Sequence, residues 1–159
     1  MSARAESLAK QFEARAAEMT AAIEKLSEAE WKKVTFAEQW SVGVTVHHVA
    51  EWHEAGAGVV KTLASGQSVP NFTMAMVDEM NAKHAREHAN CSKAETLTLH
   101  KKGTATAAAV IRGLSDAELD SSGTVMAGTP PMTIEQLIED ELINHIDEHL
   151  RSIRATVGH

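Results

Sequence analysis

An amphipathic segment near the C-terminal end, residues 134–157, constrains the fold of this chain more than any other feature. At ~100° per residue its apolar side chains fall in one broad arc, as in a helix that packs against a core. His145 and His149 are four positions apart and lie one above the other inside that arc. An imidazole in an apolar interior needs partners for its nitrogens, either hydrogen bonds or a metal ion. The pair is therefore a candidate half of a metal site in a helical core.

Four further segments have the residue spacing of helices: 3–26, 41–65, 71–89 and 92–113. Together with the C-terminal segment they leave little of the chain for strands. The 159 residues, 43% of them hydrophobic, suffice for one substantial core. We therefore expect an all-α helical bundle that forms one domain over residues 1–159.

A short motif occurs twice, at 26–31 and at 114–119. Each copy has a Ser-x-x-Glu capping box between apolar residues, and a short extended run follows, at 34–36 and 124–126. We expect the two extended runs to pair as a small two-stranded ribbon. Chance recurrence is the alternative, because Ser-x-x-Glu is common.

Composition excludes several classes of protein. The formal net charge of −7, without a stripe of Lys and Arg, argues against nucleic-acid binding. No apolar run is long enough to span a membrane, and the polar N-terminus has no signal-peptide core, so we expect a cytoplasmic protein. Cys91 is the single cysteine, which excludes an internal disulfide and a cysteine zinc site. A metal site must be built from histidine and carboxylate.

The second predicted helix, 41–65, supplies a third histidine. His48 shares its face with the apolar side chains of this helix, whereas His47 and His53 project elsewhere. If this face packs against the C-terminal helix, His48 meets His145 and His149. Glu51, one turn from His48, is then the candidate catalytic residue, as a base or as a partner that orients a ligand. The alternative for Glu51 is a solvated surface charge.

The third predicted helix, 71–89, carries methionines and two more histidines, His84 and His88, on one side. This face is either a second candidate metal site or a packing or dimer surface.

Trp40-Ser41 followed by Val46-His47-His48-Val49, and the late His145-x-x-x-His149-Leu150, resemble the DinB/YfiT-like superfamily of metalloenzymes. The resemblance covers nearly the whole chain. It implies a four-helix bundle with up-down-down-up connectivity, one extra helix, and a divalent metal held by His48, His145 and His149. It also implies a homodimer and a reaction similar to those of metal-dependent transferases and isomerases that use small thiols.

The expected function is therefore that of a metal-dependent transferase or hydrolase acting on a small molecule, with a low-molecular-weight thiol as partner. Three histidine ligands leave an open coordination position, as in catalytic sites. Zinc is the expected metal, with nickel, iron or manganese as alternatives. The competing hypothesis is a non-catalytic, metal-holding or stress-related bundle whose histidines are structural.

Two other catalytic patterns are weaker. His145-Ile146-Asp147-Glu148-His149 fits the H-x-x-E-H pattern of inverted zinc peptidases, but Glu148 lies ~100° from His149 on the helix. Cys91 lies in a predicted helix break without an activating neighbour, so we interpret it as an incidental thiol.

Overall fold

The computed structural model describes residues 2–159. The helices are α1 (Ala3–Glu24), α2 (Glu28–Trp31), α3 (Val42–Ala64), α4 (Met74–Glu87), α5 (Lys93–Arg112), α6 (Asp116–Asp120), α7 (Ile134–Ile138) and α8 (Asn144–Val157), and a π-helical turn, Glu139–Ile143, joins α7 to α8. The prediction of an all-α fold is confirmed. The four long helical stretches α1, α3, α5 and α7–α8 form the bundle, and α4 is the extra helix.

The helices begin where the sequence predicts caps. Ser41 precedes α3, and its hydroxyl accepts a hydrogen bond from the Val44 amide. Complete capping boxes open α2, α6 and α7, with Ser27, Ser115 and Thr133 as the cap residues. Each box satisfies backbone amides that have no hydrogen-bond partner within the helix. These polar side chains therefore define the residue at which each helix begins.

Contacts between helix ends fix the directions of the four long helices. Lys93 at the start of α5 donates to the carbonyl that ends α1, at 3.1 Å, so these helices run antiparallel. Arg4 in α1 pairs with Glu135 in α7, so the first and last helices run in the same direction. Trp31, before α3, donates to the Cys91 carbonyl, before α5, at 3.0 Å, so α3 and α5 also share a direction. The predicted up-down-down-up connectivity is confirmed.

One core runs through the bundle. Its largest fully buried side chains come from every long bundle helix and from α6: Phe12, Met19, Ile23, His53, His100, Ile111, Leu119, Ile134, Ile138, Leu142, Ile146 and Ile153. Two of these residues are histidines, His53 of α3 and His100 of α5. The prediction that His53 projects away from the core was wrong, because α3 packs against α5 as well as against α8 and so buries two of its sides.

A small antiparallel ribbon is present, formed by β1 (Ser122–Gly123) and β2 (Met132–Thr133). The ribbon itself was predicted, but its strands were not. The extended runs 34–36 and 124–126 do not pair with each other. Val34 bridges Ser41 within its own loop, and Met126 bridges Phe72.

Bundle length explains why the predicted pairing fails. The run at 34–36 follows the end of α1, whereas the run at 124–126 follows α6, which Asp120 ties to Arg4 at the start of α1. The 22 residues of α1 separate these two ends by ~33 Å. Each run therefore pairs locally.

Among the described residues, no helix combines the length and apolar character that a membrane span requires.

Candidate metal centre

Three histidines from α3 and α8 converge beside a cavity. The Nε2 atoms of His48 and His145 lie 3.1 Å apart. The ring centroid of His149 lies 5.1 Å from that of His48 and 4.6 Å from that of His145. One nitrogen of each ring lies within 4.8 Å of the other two. Zn–N bonds of 2.0–2.1 Å place tetrahedral ligand atoms about 3.3 Å apart, so the three nitrogens can share one ion after small side-chain movements.

The π-helical turn sets the position of His145 within the last helix. The turn lies directly before α8, and it inserts one extra residue into the helical repeat. Trp52 of α3 donates its indole N–H to the Glu141 carbonyl in this turn, at 2.7 Å. The bond ties the turn to the helix that carries His48.

Glu38 supports His149 from outside the predicted site. His149 Nδ1–H donates to the Glu38 carboxylate at 2.9 Å, and Ser152 donates to the other carboxylate oxygen at 2.6 Å. Because Nδ1 carries the proton, Nε2 keeps a lone pair for a metal. Burial would raise the pKa of Glu38, but the hydrogen bonds led by that from Ser152 outweigh burial and lower this pKa.

Periodicity could not have found Glu38. It lies in the loop before α3, where the Thr35 amide donates to the Trp40 carbonyl and Gln39 has a positive φ of 59°. Residues in such a loop have no helical phase. The only signal in the sequence is position, since Glu38 lies two residues before the Trp40-Ser41 motif.

Burial keeps the two central imidazoles neutral. Burial, with a smaller contribution from the neighbouring imidazoles, lowers the pKa of His48 to about 3 and the pKa of His145 to about 2. A metal ion requires neutral imidazole, so these two rings are available as ligands at neutral pH. The donor set, three imidazoles of which one is oriented by a carboxylate, fits a divalent metal of the zinc type.

A cavity of about 890 Å³ lies against the three histidines. This volume falls in the range of small-molecule sites. The walls are mostly apolar and come from α3, α4 and the loop before it, the loop after β1, β2 and α7: Trp52, Val59, Phe72, Met74, Val77, Met80, Val125, Met126, Met132 and Leu137. A site of this kind combines a few nitrogen ligands with a wall that suits an apolar substrate portion.

The structure brings together the three predicted ligands but directs Glu51 elsewhere. The Glu51 carboxylate lies 3.1 Å from His84 Nε2, with His47 and His88 nearby. It lines the same cavity as His48, but its polar contacts are with this second group of histidines.

The two weaker catalytic patterns receive no geometric support. Glu148 is exposed, and it is not among the residues that line the cavity. Burial raises the pKa of the Cys91 thiol, which favours the unreactive protonated form.

Comparisons with known proteins agree with this fold. The sequence profile of the DinB superfamily matches residues 11–153. A crystal structure of a mutant of a mycothiol-dependent maleylpyruvate isomerase superposes with a TM-score of 0.76 and 12% identity. The alignment covers 96% of this chain but only 63% of that protein, so this chain spans less than two thirds of its length.

A second solved structure is similar over nearly its whole length. It is YfiT from Bacillus subtilis, described as a "probable metal-dependent hydrolase with an unusual four-helix bundle topology". The TM-score is 0.77 with 16% identity, and the alignment covers 99% of this chain and 90% of that one. No curated protein sequence matches this chain significantly.

Proposed function

Because this chain belongs to the DinB superfamily, we propose that it is a divalent-metal-dependent enzyme whose ligands are His48, His145 and His149. The observation that carries the proposal is the convergence of three imidazole nitrogens within 4.8 Å of one another, beside a mostly apolar cavity. Zinc is the metal we expect, with nickel, iron or manganese as alternatives. Imidazole ligands suit zinc, nickel and iron, whereas manganese favours oxygen ligands.

The residues of the chain have distinct parts in this proposal. A divalent metal, when bound, supplies a Lewis acid that lowers the pKa of a water or thiol in its open position. Glu38 holds the proton of His149 on Nδ1 and so aims Nε2 at the centre. The apolar wall binds the carbon skeleton of a small substrate and limits the entry of water.

The reaction class we propose is a thiol-dependent transfer or a hydrolysis. The two similar structures support thiol dependence and hydrolysis: one is named a mycothiol-dependent isomerase and the other a probable metal-dependent hydrolase. In a thiol-dependent transfer the nucleophile would be a low-molecular-weight thiol. In a hydrolysis it would be water. Glu51 lines the cavity, and its role as a base stays a prediction, whereas the contact with His149 supports Glu38 as the carboxylate that orients a ligand.

A single domain over residues 1–159, a homodimer and a cytoplasmic location also stay predictions. The continuous core supports the first. Phe36, 91% exposed, and Val34, 61% exposed, are apolar surface side chains that a second copy of the chain could cover. Light scattering of the purified protein would test the dimer, and cell fractionation would test the location.

Metal analysis tests the proposed centre. Purified protein should lose one equivalent of metal when His48 or His145 is replaced by alanine, whereas the control His159→Ala, in an exposed residue bound to Glu30, should keep its full metal content. Cobalt-loaded protein should change its visible spectrum when a small thiol or azide is added, because one coordination position is open. Retention of the full wild-type metal content by both alanine variants would contradict the ligand set. A spectrum that ignores thiol and azide would favour the non-catalytic, metal-holding alternative.

A further inference from the structure

A second group of histidines lies where α3 meets α4. His47 and Glu51 are four residues apart on α3, and His84 and His88 are four residues apart on α4. Side chains at this spacing share a helix face, so each helix presents two potential metal ligands to the other. All four residues remain outside the centre described above.

The four ligand atoms converge as closely as those of the first centre. His47 Nδ1 lies 2.9 Å from His84 Nε2, and the nearest Glu51 oxygen lies 3.1 Å from that same nitrogen. The same oxygen lies 3.8 Å from His47 Nδ1 and 3.9 Å from His88 Nε2. These separations bracket the value of about 3.3 Å between ligand atoms of tetrahedral zinc. All four atoms lie within 4.8 Å of one another.

The chemistry of the group matches a borderline divalent metal. Three imidazoles and one carboxylate are nitrogen and oxygen ligands of the kind that zinc, nickel and iron accept. The Glu51 side chain is 54% exposed, which leaves an entry path for an ion.

The group is separate from the first centre but close to it. His47 and His48 are sequence neighbours on α3, so their side chains leave the helix ~100° apart. The ring centroids of His48 and His84 are 5.7 Å apart. Residues of both groups, His48 on one side and His84 and His88 on the other, line the same cavity.

The position of α4 gives the group a structural consequence. No side chain of α4 is fully buried, although α4 supplies a wall of the cavity. Just before α4, Phe72 exchanges backbone hydrogen bonds with Val125 and Ala127. Near its end, α4 meets the bundle through His84 and His88. An ion held there would fix the second half of this wall.

We propose that His47, Glu51, His84 and His88 form a second divalent-metal site, which fastens α4 over the cavity beside the first centre. This site goes beyond the proposed function, which requires only the first centre.

Titration of metal-free protein with Co²⁺, and with Zn²⁺ in competition, tests the second site. The wild-type chain should bind two equivalents. His84→Ala and His145→Ala should each bind one, and the double variant should bind none. Glu51→Gln should weaken the second equivalent by at least the roughly tenfold that loss of a supporting carboxylate costs a metal site. Glu54→Gln, a change in an exposed carboxylate of the same helix, is the matched control and should have no effect.

Hydrogen exchange supplies an independent readout on the folded protein. Metal bound at the second site should slow exchange of the α4 amides in the wild type and in His145→Ala, whereas metal added to His84→Ala should not slow it. A total of one equivalent that depends on His145, or a second equivalent that survives both His84→Ala and Glu51→Gln, would overturn the second site. Metal that binds His145→Ala as fully as the wild type would instead contradict the first centre, so the two failures are distinguishable.

Discussion

Glu38 Oε1 accepts a hydrogen bond of 2.9 Å from His149 Nδ1, across 111 positions of the chain. The bond joins the loop before α3 to the face of α8 that carries two of the proposed metal ligands. It makes Glu38 a positioning residue for the centre, since it fixes the proton of His149 on Nδ1 and leaves Nε2 available as a ligand.

Glu38→Gln should weaken metal binding at the first centre by about 10- to 100-fold, the usual cost of losing a carboxylate that orients a histidine ligand. The amide keeps the shape of the side chain but removes its charge. Competition with a chromophoric chelator, performed in the His84→Ala background, measures the change. Ser152→Ala, which removes only the hydroxyl that supports Glu38, should have a smaller effect. Equal affinity in wild type and Glu38→Gln would exclude this role.

Metal at the first centre should stabilise the fold. In the His84→Ala background, zinc at about 100 times its dissociation constant should add ~2.7 kcal/mol to the free energy of unfolding. A chelator should reverse this gain, and the further change His145→Ala should abolish it. Urea unfolding with and without zinc measures the difference. An unchanged gain in the double variant would show that the stabilising ion binds elsewhere.

The buried pair His53 and His100 should make the metal-free protein sensitive to acid. His100 Nε2–H donates to the Ala16 carbonyl at 3.0 Å, so its Nδ1 accepts from His53 Nε2–H, also at 3.0 Å. Burial lowers the pKa of His53 to about 3 and also lowers that of His100. Below the unfolded value of about 6.5, the unfolded chain binds more protons than the native chain, so stability falls as pH falls.

For each such histidine the loss should approach ~1.4 kcal/mol per pH unit between about pH 6.5 and the folded pKa. Urea unfolding of metal-free protein from pH 7.5 to 4.5 measures the slope. His53→Gln, which can still donate to His100, should give a shallower slope than the wild type, whereas His159→Gln should not. The same slope in His53→Gln and the wild type would mean that the buried pair does not control acid stability.

Two glycines of α3 should respond oppositely to alanine. A Cβ on Gly43 would lie 2.5 Å from Trp31 Nε1, in the contact that lets Trp31 reach the Cys91 carbonyl. Gly43→Ala should therefore destabilise the fold by about 1–3 kcal/mol through overpacking. A Cβ on Gly58 meets no atom within 4 Å, so Gly58→Ala should stabilise the helix by about 0.5–1 kcal/mol. Thermal unfolding measures the change in stability of both variants. Melting temperatures that shift in the same direction would contradict the packing argument.

Helix periodicity and caps predicted much of this molecule because both are local properties. The spacing of apolar residues places Ile146 and Leu150 in the core with His145 and His149 beside them, and Ser41 marks the start of α3. A helix face repeats every 3.6 residues regardless of what packs against it. The periodicity therefore predicted the fold class from the sequence alone. The up-down-down-up order of the helices was predicted from the resemblance to a family.

Only the tertiary structure decided which side chains meet. A helix wheel assigns one buried face, but α3 buries two, so His53 enters the core against His100 and His47 turns to α4. The same packing places the Glu51 carboxylate beside His84 rather than beside His48. Glu38 lies in a loop without periodicity, and its bond to His149 depends on how distant segments close around the bundle. Sequence spacing specifies the direction of a side chain from its own helix. Its partner depends on the relative placement of distant segments, which for Glu38 and His149 are 111 positions apart.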